Sequence, residues 1–500
     1  MHPLLLPELL SLVKDYVEPE DWFSCSLVCC SWHTTFNPFV WDTCTVDPFQ
    51  PSPPSVQALE THAPFIHTFI FSGYIPPSYF SAQYTNLHTL KMQCQNITFC
   101  IPNSTTDTRE TINQMWLRVA ALIRNSPSLS TIHISAQRDT LVNEIWVAIK
   151  DSPKVKTLRL AQLKVNHAQS LDFWKACSVL EKLEIDGCII RDPLGSLWNV
   201  VGLPPSFPHL VEIKFESVSD IRAENQIQIM AMCPKLRSMY WRGGGVSEFP
   251  VDYFESAVTH RKEFQHLESI DLMGRTIPDN SICDIVKSLR KPLRKLALFQ
   301  TCVGPLSLAV LGTHFQTIQE LDFTECPQIH SKDVIMLLRS CPLLTSFKAG
   351  MLSSLDVKEN ESWPCSDRLL ALYINIQLEE DDIQAASQRV FNCLSKLTSL
   401  RTLNIVKYSG LIGYLQHNDS PLQLRLDSGL SKLSTLRYLE LMSFDKSGQS
   451  MTMQEGEWIK RNWKRLVAIR GRFNANQEMN QKINSLFITQ NDRFHRRRQK

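Results

Sequence analysis

A short motif that recurs at a nearly constant interval is the strongest constraint on the fold of this chain. The fragments "RNSPSLSTIHI", "KDSPKVKTLRL", "AMCPKLRSMYW" and "RSCPLLTSFKA" each combine a polar helix end, Ser or Cys, a Pro, and apolar residues at spacings of three and two. Proline ends a helix, and the apolar pattern after it is typical of a short strand. Each repeat is therefore predicted to contain one helix and one strand.

The template L-x-x-L-x-L describes these repeats along most of the chain. Between Val155 and Leu369 its matches begin 25 to 31 residues apart, a regularity that chance apolar triplets would not maintain. A period of this length is typical of leucine-rich repeats, which stack one strand beside the next. The thirteen matches begin at Leu87, Leu129, Val155, Leu180, Leu210, Leu236, Leu267, Leu293, Ile318, Leu344, Leu369, Leu400 and Leu436, and Ile66-Phe69-Phe71 is a plausible fourteenth.

The predicted fold is an α/β solenoid, a leucine-rich-repeat horseshoe with parallel inner strands and outer helices, preceded by a small all-α module. Cys188 and Cys326 follow predicted strands and are interpreted as buried small residues in tight turns rather than metal ligands. The predicted divisions are a helical module at 1–46, a Pro-rich linker at 47–64, the solenoid at 65–450, and a C-terminal cap helix with a basic tail at 451–500.

Charge and composition argue against several classes of function. The net charge is only +2, so no overall field favours nucleic acid or a membrane, and no apolar run approaches the roughly 18 residues that span a bilayer. The terminal "FHRRRQK" is interpreted as a solvated basic tail, with nuclear import or a phosphate contact as alternatives. The start of the chain lacks a signal-peptide pattern, so the 15 cysteines predict reduced thiols and a cytoplasmic or nuclear protein.

The side chains between the inward apolar positions alternate onto the opposite face of the sheet, where a partner could bind. Exposed aromatic residues among charges are typical of a binding hot spot, although a solvated face without a partner is the alternative. Acidic residues outnumber basic ones there, which favours a basic or neutral target over a phosphorylated one. The candidate target-binding residues are Glu184, Glu216, Tyr240, Arg242, Asp271, Met273, Phe299 and Asp322.

The first 46 residues do not fit the repeat. "PELLSLVKDYV" places Leu9, Leu10, Val13 and Val17 on one helical stripe, and "EDWFSCSLVCCSWH" continues as a second helical segment. A module of about 40 residues is too small to bury its own apolar surface well, so an exposed apolar stripe is expected to need a partner.

This segment, "LLPELLSLVKDYVEPEDWFSCSLVCCSWHTTFNPFVW", resembles an F-box. The family pattern is a Leu-Pro start, an acid, a Leu/Ile helix, an aliphatic-acidic turn, Val-Cys-x-x-Trp and a final Trp. Leu6 stands where the family has its Pro, and Pro7 follows one place later. The resemblance assigns adaptor binding to Leu5, Leu6, Pro7, Leu9, Leu10, Val13, Val17, Leu27, Val28, Cys29, Trp32 and Trp41, with Cys29 expected to be a buried packing residue.

An F-box followed by leucine-rich repeats is similar to fungal proteins that act as substrate receptors of SCF-type E3 ubiquitin ligases. The resemblance implies that the F-box binds a Skp-type adaptor joined to a cullin scaffold, while the concave face of the repeats binds an unidentified target protein. The contribution of such a chain is proximity, because the chemistry belongs to its partners. The alternative is a leucine-rich-repeat interaction scaffold without a ligase role.

Cys29, Cys30 and His33 lie within five residues of one another, but the sequence does not favour a catalytic or metal site there. Zinc needs four ligands, and no second cluster at a suitable spacing accompanies them. A nucleophilic cysteine needs a positioned base, and the motifs of phosphate-binding, hydrolase and metalloprotease sites are missing from the sequence. We therefore expect no enzymatic activity, cofactor, metal, nucleic-acid partner or membrane partner.

Overall fold

The repeats form a leucine-rich-repeat α/β solenoid in which parallel strands are backed by helices. A computed structural model describes residues 7–14, 16–18, 21–47, 53–73, 75–94, 108–137, 140–190, 206–243, 248–273, 277–405, 420–445 and 447–487. The chain divides into two compact units, Met1–Ser247 and Glu248–Lys500. This arrangement confirms the predicted leucine-rich-repeat α/β solenoid.

The first unit contains a parallel sheet in which all the longer strands pair in chain order. Its strands are β1 (Thr43–Val46), β2 (Thr68–Ser72), β3 (Thr89–Cys94), β4 (Thr131–Ala136), β5 (Thr157–Ala161), β6 (Lys164–Val165), β7 (Lys182–Asp186), β8 (Ile189–Ile190), β9 (Glu212–Glu216) and β10 (Ser238–Arg242). Strands β6 and β8 pair separately with each other. Alternate residues of the longer strands are buried, because one face of the sheet packs on the helices.

Helices cover the buried face of this sheet or precede it. They are Pro7–Lys14, Trp22–Ser26, Cys30–Asp42, Val56–His62, Thr108–Asn125, Asn143–Asp151, His167–Cys177 and Ala223–Ala231, with 3-10 turns at Ala63–Phe65 and Pro77–Phe80. Trp116, Trp146 and Trp174, on three successive repeat helices, are fully buried. Large aromatic side chains therefore fill much of the space between sheet and helices.

The second unit repeats the same plan. Its strands are β11 (Ser269–Met273), β12 (Lys295–Phe299), β13 (Glu320–Asp322), β14 (Ser346–Ser353), β15 (Ala371–Leu378), β16 (Thr402–Asn404), β17 (Ser420–Pro421), β18 (Leu441–Ser443) and β19 (Ala468–Arg470). They pair in parallel and in order, except that β17 runs antiparallel to β15. The helices are Val251–Thr259, Asp279–Ser288, Pro305–Leu311, Ser331–Ser340, Ile383–Leu394, Met453–Asn462 and Gln477–Ser485, with 3-10 turns at Gly312–His314, Ser354–Asp356 and Leu430–Thr435.

One backbone carbonyl in each repeat accepts two N–H groups from the next repeat. The Ser130 carbonyl accepts from the N–H of Lys156 at 2.9 Å and from that of Thr157 at 3.0 Å. The same arrangement occurs at every step between neighbouring long parallel strands, from β2 to β10 in the first unit and from β11 to β19 in the second. Because each carbonyl lies one residue after the first apolar position of the template, this contact fixes the register of neighbouring repeats.

The strands begin two residues after the predicted template starts in all but the last of the thirteen matches, and also at Ile66. The prediction at Leu436 is wrong by three residues. The 3-10 turn Leu430–Thr435 runs up to Leu436, and β18 instead uses Leu439, Met442 and Phe444, all buried. The segment "LSTLRYLELMSF" contains two overlapping apolar triplets, and only packing selects between them.

The structural boundaries differ from the predicted ones at both ends of the repeat region. Strand β1, inside the predicted helical module, pairs with β2. The predicted linker 47–64 contains the helix Val56–His62, whose Leu59 is fully buried. At the other end, β19 lies within the predicted cap, because the helix of "EWIKRNWKRLVAIRG" ends at Asn462.

The C-terminal helix Gln477–Ser485 follows the last strand and packs on Met453–Asn462. Ile483 and Phe487 are fully buried, and a Cβ at Gly456 would lie only 3.1 Å from Ile483. A small residue at this position therefore allows the two helices to approach closely. The basic tail "FHRRRQK" lies outside the described residues.

The cysteines after two strands have the predicted structural role. Cys188 and Cys326 are buried, and burial raises the pKa of each thiol to about 11. The Cys326 thiol donates to the Leu298 carbonyl at 2.8 Å. Both thiols are therefore protonated at neutral pH, as expected of small packing residues.

We predict that Leu298→Ala lowers the free energy of unfolding by about 2–5 kcal/mol, because it removes a buried side chain of β12 and leaves a cavity. Glu320→Ala, on the solvent-facing side of the neighbouring strand β13, should change it by less than about 0.5 kcal/mol. Chemical denaturation of the full chain measures both values. Equal losses for the two variants would contradict the assigned strand faces.

Candidate functional site

Large apolar side chains are exposed on the N-terminal helices. Leu12 is 60% exposed and Tyr16 is 90% exposed. Of the eleven exposed large apolar residues in the described part of the chain, six lie in this short segment: Leu9, Leu12, Tyr16, Phe23, Leu27 and Val28. A concentrated apolar patch of this kind is typical of a protein interaction surface.

The helix Pro7–Lys14 and the turn after it carry two apolar stripes, each with the spacing i, i+3, i+7. Leu10 is fully buried, with Val13 and Val17 half-buried on the same stripe. Leu9, Leu12 and Tyr16 form the second stripe and are exposed. The stripe predicted from the sequence combined Leu9 of the exposed stripe with residues of the buried one. It therefore omitted Leu12 and Tyr16, although both follow Leu9 at helical spacing.

An aromatic cluster holds these helices together. Phe36 is fully buried, with its ring centroid 5.4 Å from that of Trp32 and 6.5 Å from that of Phe39. Lys14 Nζ lies 4.1 Å from the Phe39 ring centroid, a cation–π contact that joins the first helix to Cys30–Asp42. The module therefore has a small core of its own, which leaves the exposed stripe available.

Trp41 connects the module to the first repeat. Its ring stacks on His62 with centroids 4.4 Å apart, and Asn37 Nδ2 lies 3.3 Å from His62 Nδ1. Burial, with a smaller effect of His33, lowers the pKa of His62. Because the helix Cys30–Asp42 also runs directly into β1, the module is packed against the repeats rather than tethered to them.

The structure separates the predicted adaptor-binding residues into three groups. Leu9, Leu27, Val28 and Cys29 are exposed, Val13, Val17, Trp32 and Trp41 are half-buried, and Leu10 is buried. Cys29 was expected to be buried, but it is exposed to solvent. It has an extended backbone and directly precedes the helix Cys30–Asp42. Pro7 begins the first helix, while its side chain and Leu5 and Leu6 lie outside the described residues. Phe23, which the sequence reasoning missed, is exposed in the second helix.

In the first unit, two of the predicted target-binding residues, Glu216 and Arg242, contact a third, Tyr240. The Tyr240 hydroxyl donates to Glu216 Oε2 at 3.1 Å, and Lys214 Nζ lies 2.8 Å from the same oxygen. Lys214 Nζ is 4.6 Å and Arg242 Cζ is 4.9 Å from the Tyr240 ring centroid. The neighbouring Glu184 pairs with Arg159 at 3.1 Å. These strands thus carry an ordered cluster of cations and carboxylates around one aromatic ring.

Neighbouring carboxylates of this cluster have opposite pKa shifts. Burial, and then the charge of Glu216, raises the pKa of Asp186 above its usual value. Burial acts in the same sense on Glu216, but hydrogen bonds from Lys214 and Tyr240 and the charges of Lys214 and Arg242 outweigh it and lower its pKa. The charge of Lys214 acts to lower the pKa of both carboxylates, and its direct hydrogen bond adds to this effect at Glu216.

In the second unit, the predicted residues form ion pairs and an apolar contact on the strand face. Met273 and Phe299 are paired across β11 and β12, and both are half-buried. Asp322 lies 3.0 Å from Lys348 Nζ. Asp271 was expected to be exposed, but it is buried with Lys295 Nζ 3.2 Å away, because the long lysine side chain extends from the next strand across it.

The described ranges contain neither a cluster of possible metal ligands nor a membrane-spanning helix. In those residues, no three His, Cys, Asp or Glu side chains come together as a possible metal site. None of the helices that the structure describes is both long and apolar enough to cross a bilayer. His33 lies three residues after Cys30, and its Nδ1 is 3.2 Å from the Ser26 carbonyl oxygen.

No protein-family model matches this chain, and no curated protein matches it significantly. Solved structures with a similar fold include the complex of Rad7 and Elc1 in yeast, at 14% identity and TM-score 0.39, covering 78% of this chain and 82% of that one. The TLR13–ssRNA13 complex has 14% identity and TM-score 0.35, covering 82% and 65% of the two chains. An internalin, inlF of Listeria monocytogenes, has 14% identity and TM-score 0.36, covering 71% and 83%.

We predict that Lys214→Met raises the pKa of Glu216, because it removes both a hydrogen bond and a positive charge from the carboxylate. The depressed pKa in the wild type stabilises the fold above the unfolded-state pKa of Glu216, and this contribution is lost as the pH falls through its folded-state pKa. Carboxyl NMR titration measures the shift. Lys235→Met, on the connection before β10, is the control and should leave Glu216 unchanged; an unchanged Glu216 in Lys214→Met would contradict the cluster.

Proposed function

We propose that this chain is a non-catalytic substrate-recognition subunit of an SCF-type E3 ubiquitin ligase. In this role the N-terminal helices bind a Skp-type adaptor attached to a cullin scaffold, and the strand faces of the repeats bind a target protein. The observation that carries the proposal is the exposed apolar patch formed by Leu9, Leu12, Tyr16, Phe23, Leu27 and Val28. It coincides with the segment whose sequence resembles an F-box.

The separation of buried from exposed apolar residues in the N-terminal helices supports an adaptor-binding role. Leu10 and Phe36 are buried in the module, so its helices do not need the exposed stripe for their own packing. Leaving Leu12 and Phe23 largely in water forgoes part of the roughly 1.5–3 kcal/mol that full burial of each side chain would contribute. Binding of an apolar partner would recover that free energy.

The junction between module and repeats supports a presenting role. Trp41 stacks on His62, and β1 continues the helix Cys30–Asp42 into the sheet. A target bound to the strands of the first unit would then be held at a set position relative to the adaptor. Such positioning raises the effective concentration of the target near a ubiquitin carrier, so the chain needs no reactive group of its own.

We predict that Leu12→Asp abolishes binding of a purified Skp-type adaptor, because a carboxylate would be placed in the apolar interface. Leu355→Asp in the second unit is the matched control, since Leu355 is 62% exposed and Leu12 is 60% exposed. Titration calorimetry and melting temperature, measured on the full chain, separate binding from folding. Retained adaptor binding in Leu12→Asp, or in a Leu12→Asp/Phe23→Asp double variant, would exclude this docking surface and favour a scaffold without a ligase role.

Leu10→Ala should behave differently from Leu12→Asp. Because Leu10 is buried, its truncation should lower the stability of the module by about 2–5 kcal/mol. Any loss of adaptor binding in Leu10→Ala would then follow the loss of folded module. Helical signal and protease resistance of residues 7–42 report this change.

We predict that Tyr240→Ala slows turnover of the target in cells and leaves adaptor binding intact. The substitution removes the ring held between Lys214 and Arg242, which is the aromatic anchor proposed for the target on the first unit. Proximity labelling with and without proteasome inhibition identifies the target, and a translation-block chase measures its half-life. Tyr438→Ala, an exposed tyrosine of the second unit, is the control; normal turnover in Tyr240→Ala would exclude this anchor.

A further inference from the structure

The positions of the first five strands that point away from the helices contain no carboxylate. Eight of them carry hydroxyl groups, and the charged or titratable ones are all basic. We call this set the basic face; it consists of Thr43, Thr45, Thr68, Ile70, Ser72, Thr89, Lys91, Gln93, Thr131, His133, Ser135, Thr157, Arg159 and Ala161.

Three basic side chains are directly opposite one another on the basic face. Lys91 pairs in register with His133, and His133 pairs in register with Arg159. Like charges in directly opposite positions destabilise a sheet. Burial, and then the charges of Arg159 and Lys91, lowers the pKa of His133.

The basic residues are only partly compensated. At the edge of the basic face, Arg159 Nε lies 3.1 Å from Glu184 Oε1 on β7. Among the described residues, neither Lys91 nor His133 has a carboxylate within ion-pair distance. An uncompensated group of this kind creates a local positive potential that attracts an anionic partner.

The strands that follow are different. On β7 and β9, Lys182 pairs with Glu212 at 2.8 Å and Lys214 with Glu216 at 2.8 Å. Cations there are neutralised within the sheet, whereas Lys91 on β3 and His133 on β4 remain available for an external anion. The carboxylates on β7 and β9 also disfavour nucleic acid as the partner. Negative charges beside the three basic residues would repel a continuous phosphate backbone.

We propose that the basic face binds an acidic peptide segment of a partner protein, with its carboxylates on Lys91, His133 and Arg159 and its backbone near the flanking threonine hydroxyls. Adjacent strands are about 4.8 Å apart, and alternate side chains of an extended peptide are about 6.8 Å apart. Long Lys and Arg side chains span that difference, so an extended segment crossing the strands can reach all three groups. Charge complementarity then selects the partner.

This inference deepens the recognition role proposed for the repeats and rests on it, but it does not depend on adaptor binding. The peptide surface lies on β3–β5, whereas the adaptor surface lies on residues 9–28. Leu12→Asp should therefore retain peptide binding, and Lys91→Glu should retain adaptor binding. The two proposals can fail separately.

The test is fluorescence anisotropy with the full chain and a dye-labelled peptide of alternating Ser and Glu. Lys91→Glu should weaken binding about tenfold, because an attraction becomes a repulsion. Lys150→Glu is the matched control, since it makes the same charge change at an exposed position on the helix Asn143–Asp151; it should change the affinity by less than about twofold. Thermal melts confirm that both variants are folded.

A second readout uses pH. His133 lies between Lys91 of β3 and Arg159 of β5, and a bound carboxylate would raise its lowered pKa. Binding should therefore take up a proton and become tighter as the pH falls towards about 6, where glutamate is still ionised. His133→Gln should remove this pH dependence.

Three results would overturn the proposal. The first is equal weakening by Lys91→Glu and Lys150→Glu. The second is equal binding of the matched peptide of alternating Ser and Gln, which has no carboxylates. The third is tighter binding of an oligothymidylate than of the Ser-Glu peptide, which would assign the basic face to single-stranded nucleic acid.

Discussion

The repeated contact in which one carbonyl accepts two N–H groups from the next strand is the constraint on which the rest of each unit depends. Just before β4, the Ser130 carbonyl accepts hydrogen bonds from the backbone N–H groups of Lys156 and Thr157. This contact aligns the first residues of successive strands, so equivalent positions form continuous rows across the sheet. The rows across the longer parallel strands follow from that alignment, including the apolar rows that are buried and the polar rows that face solvent.

The aligned rows give the solvent face its chemical character. Around Tyr240, Lys214 and Arg242 lie near the aromatic ring while Glu216 accepts from its hydroxyl. On β3 to β5 the same alignment instead brings Lys91, His133 and Arg159 together. Two regions of one parallel sheet thereby acquire different binding properties, because neighbouring residues in a row are separated only by the strand spacing of about 4.8 Å.

The N-terminal helices show a different use of apolar residues. The repeat helices bury theirs against the sheet, as Trp146 and Trp174 do. The first helix buries Leu10 but exposes Leu12 and Tyr16. This division combines a folded module with an available apolar patch, and the stacking of Trp41 on His62 joins that patch to the first repeat. The proposed role in presenting a target depends on this junction.

The spacing of apolar triplets was sufficient to predict the repeat class and the faces of most strands, because burying those triplets leaves few alternative registers. The position of Cys188 and Cys326 directly after predicted strands also predicted correctly that both are buried. The apolar pattern alone was insufficient where two registers satisfied it equally. Leu436 and Leu439 both begin acceptable triplets, and packing of the 3-10 turn Leu430–Thr435 decides between them.

The candidate sites were less predictable because burial of a single side chain depends on neighbours that are distant in sequence. Leu10 and Leu12 are both leucines of one short helix, yet Leu10 is fully buried and Leu12 is 60% exposed. Asp271 alternates with apolar residues like an exposed position, but Lys295 of the next strand covers it. By itself, the sequence determined which residues recur and therefore the repeating fold; the tertiary structure decided which apolar residues remain exposed and which charges remain uncompensated, because both depend on side chains contributed by other helices and strands.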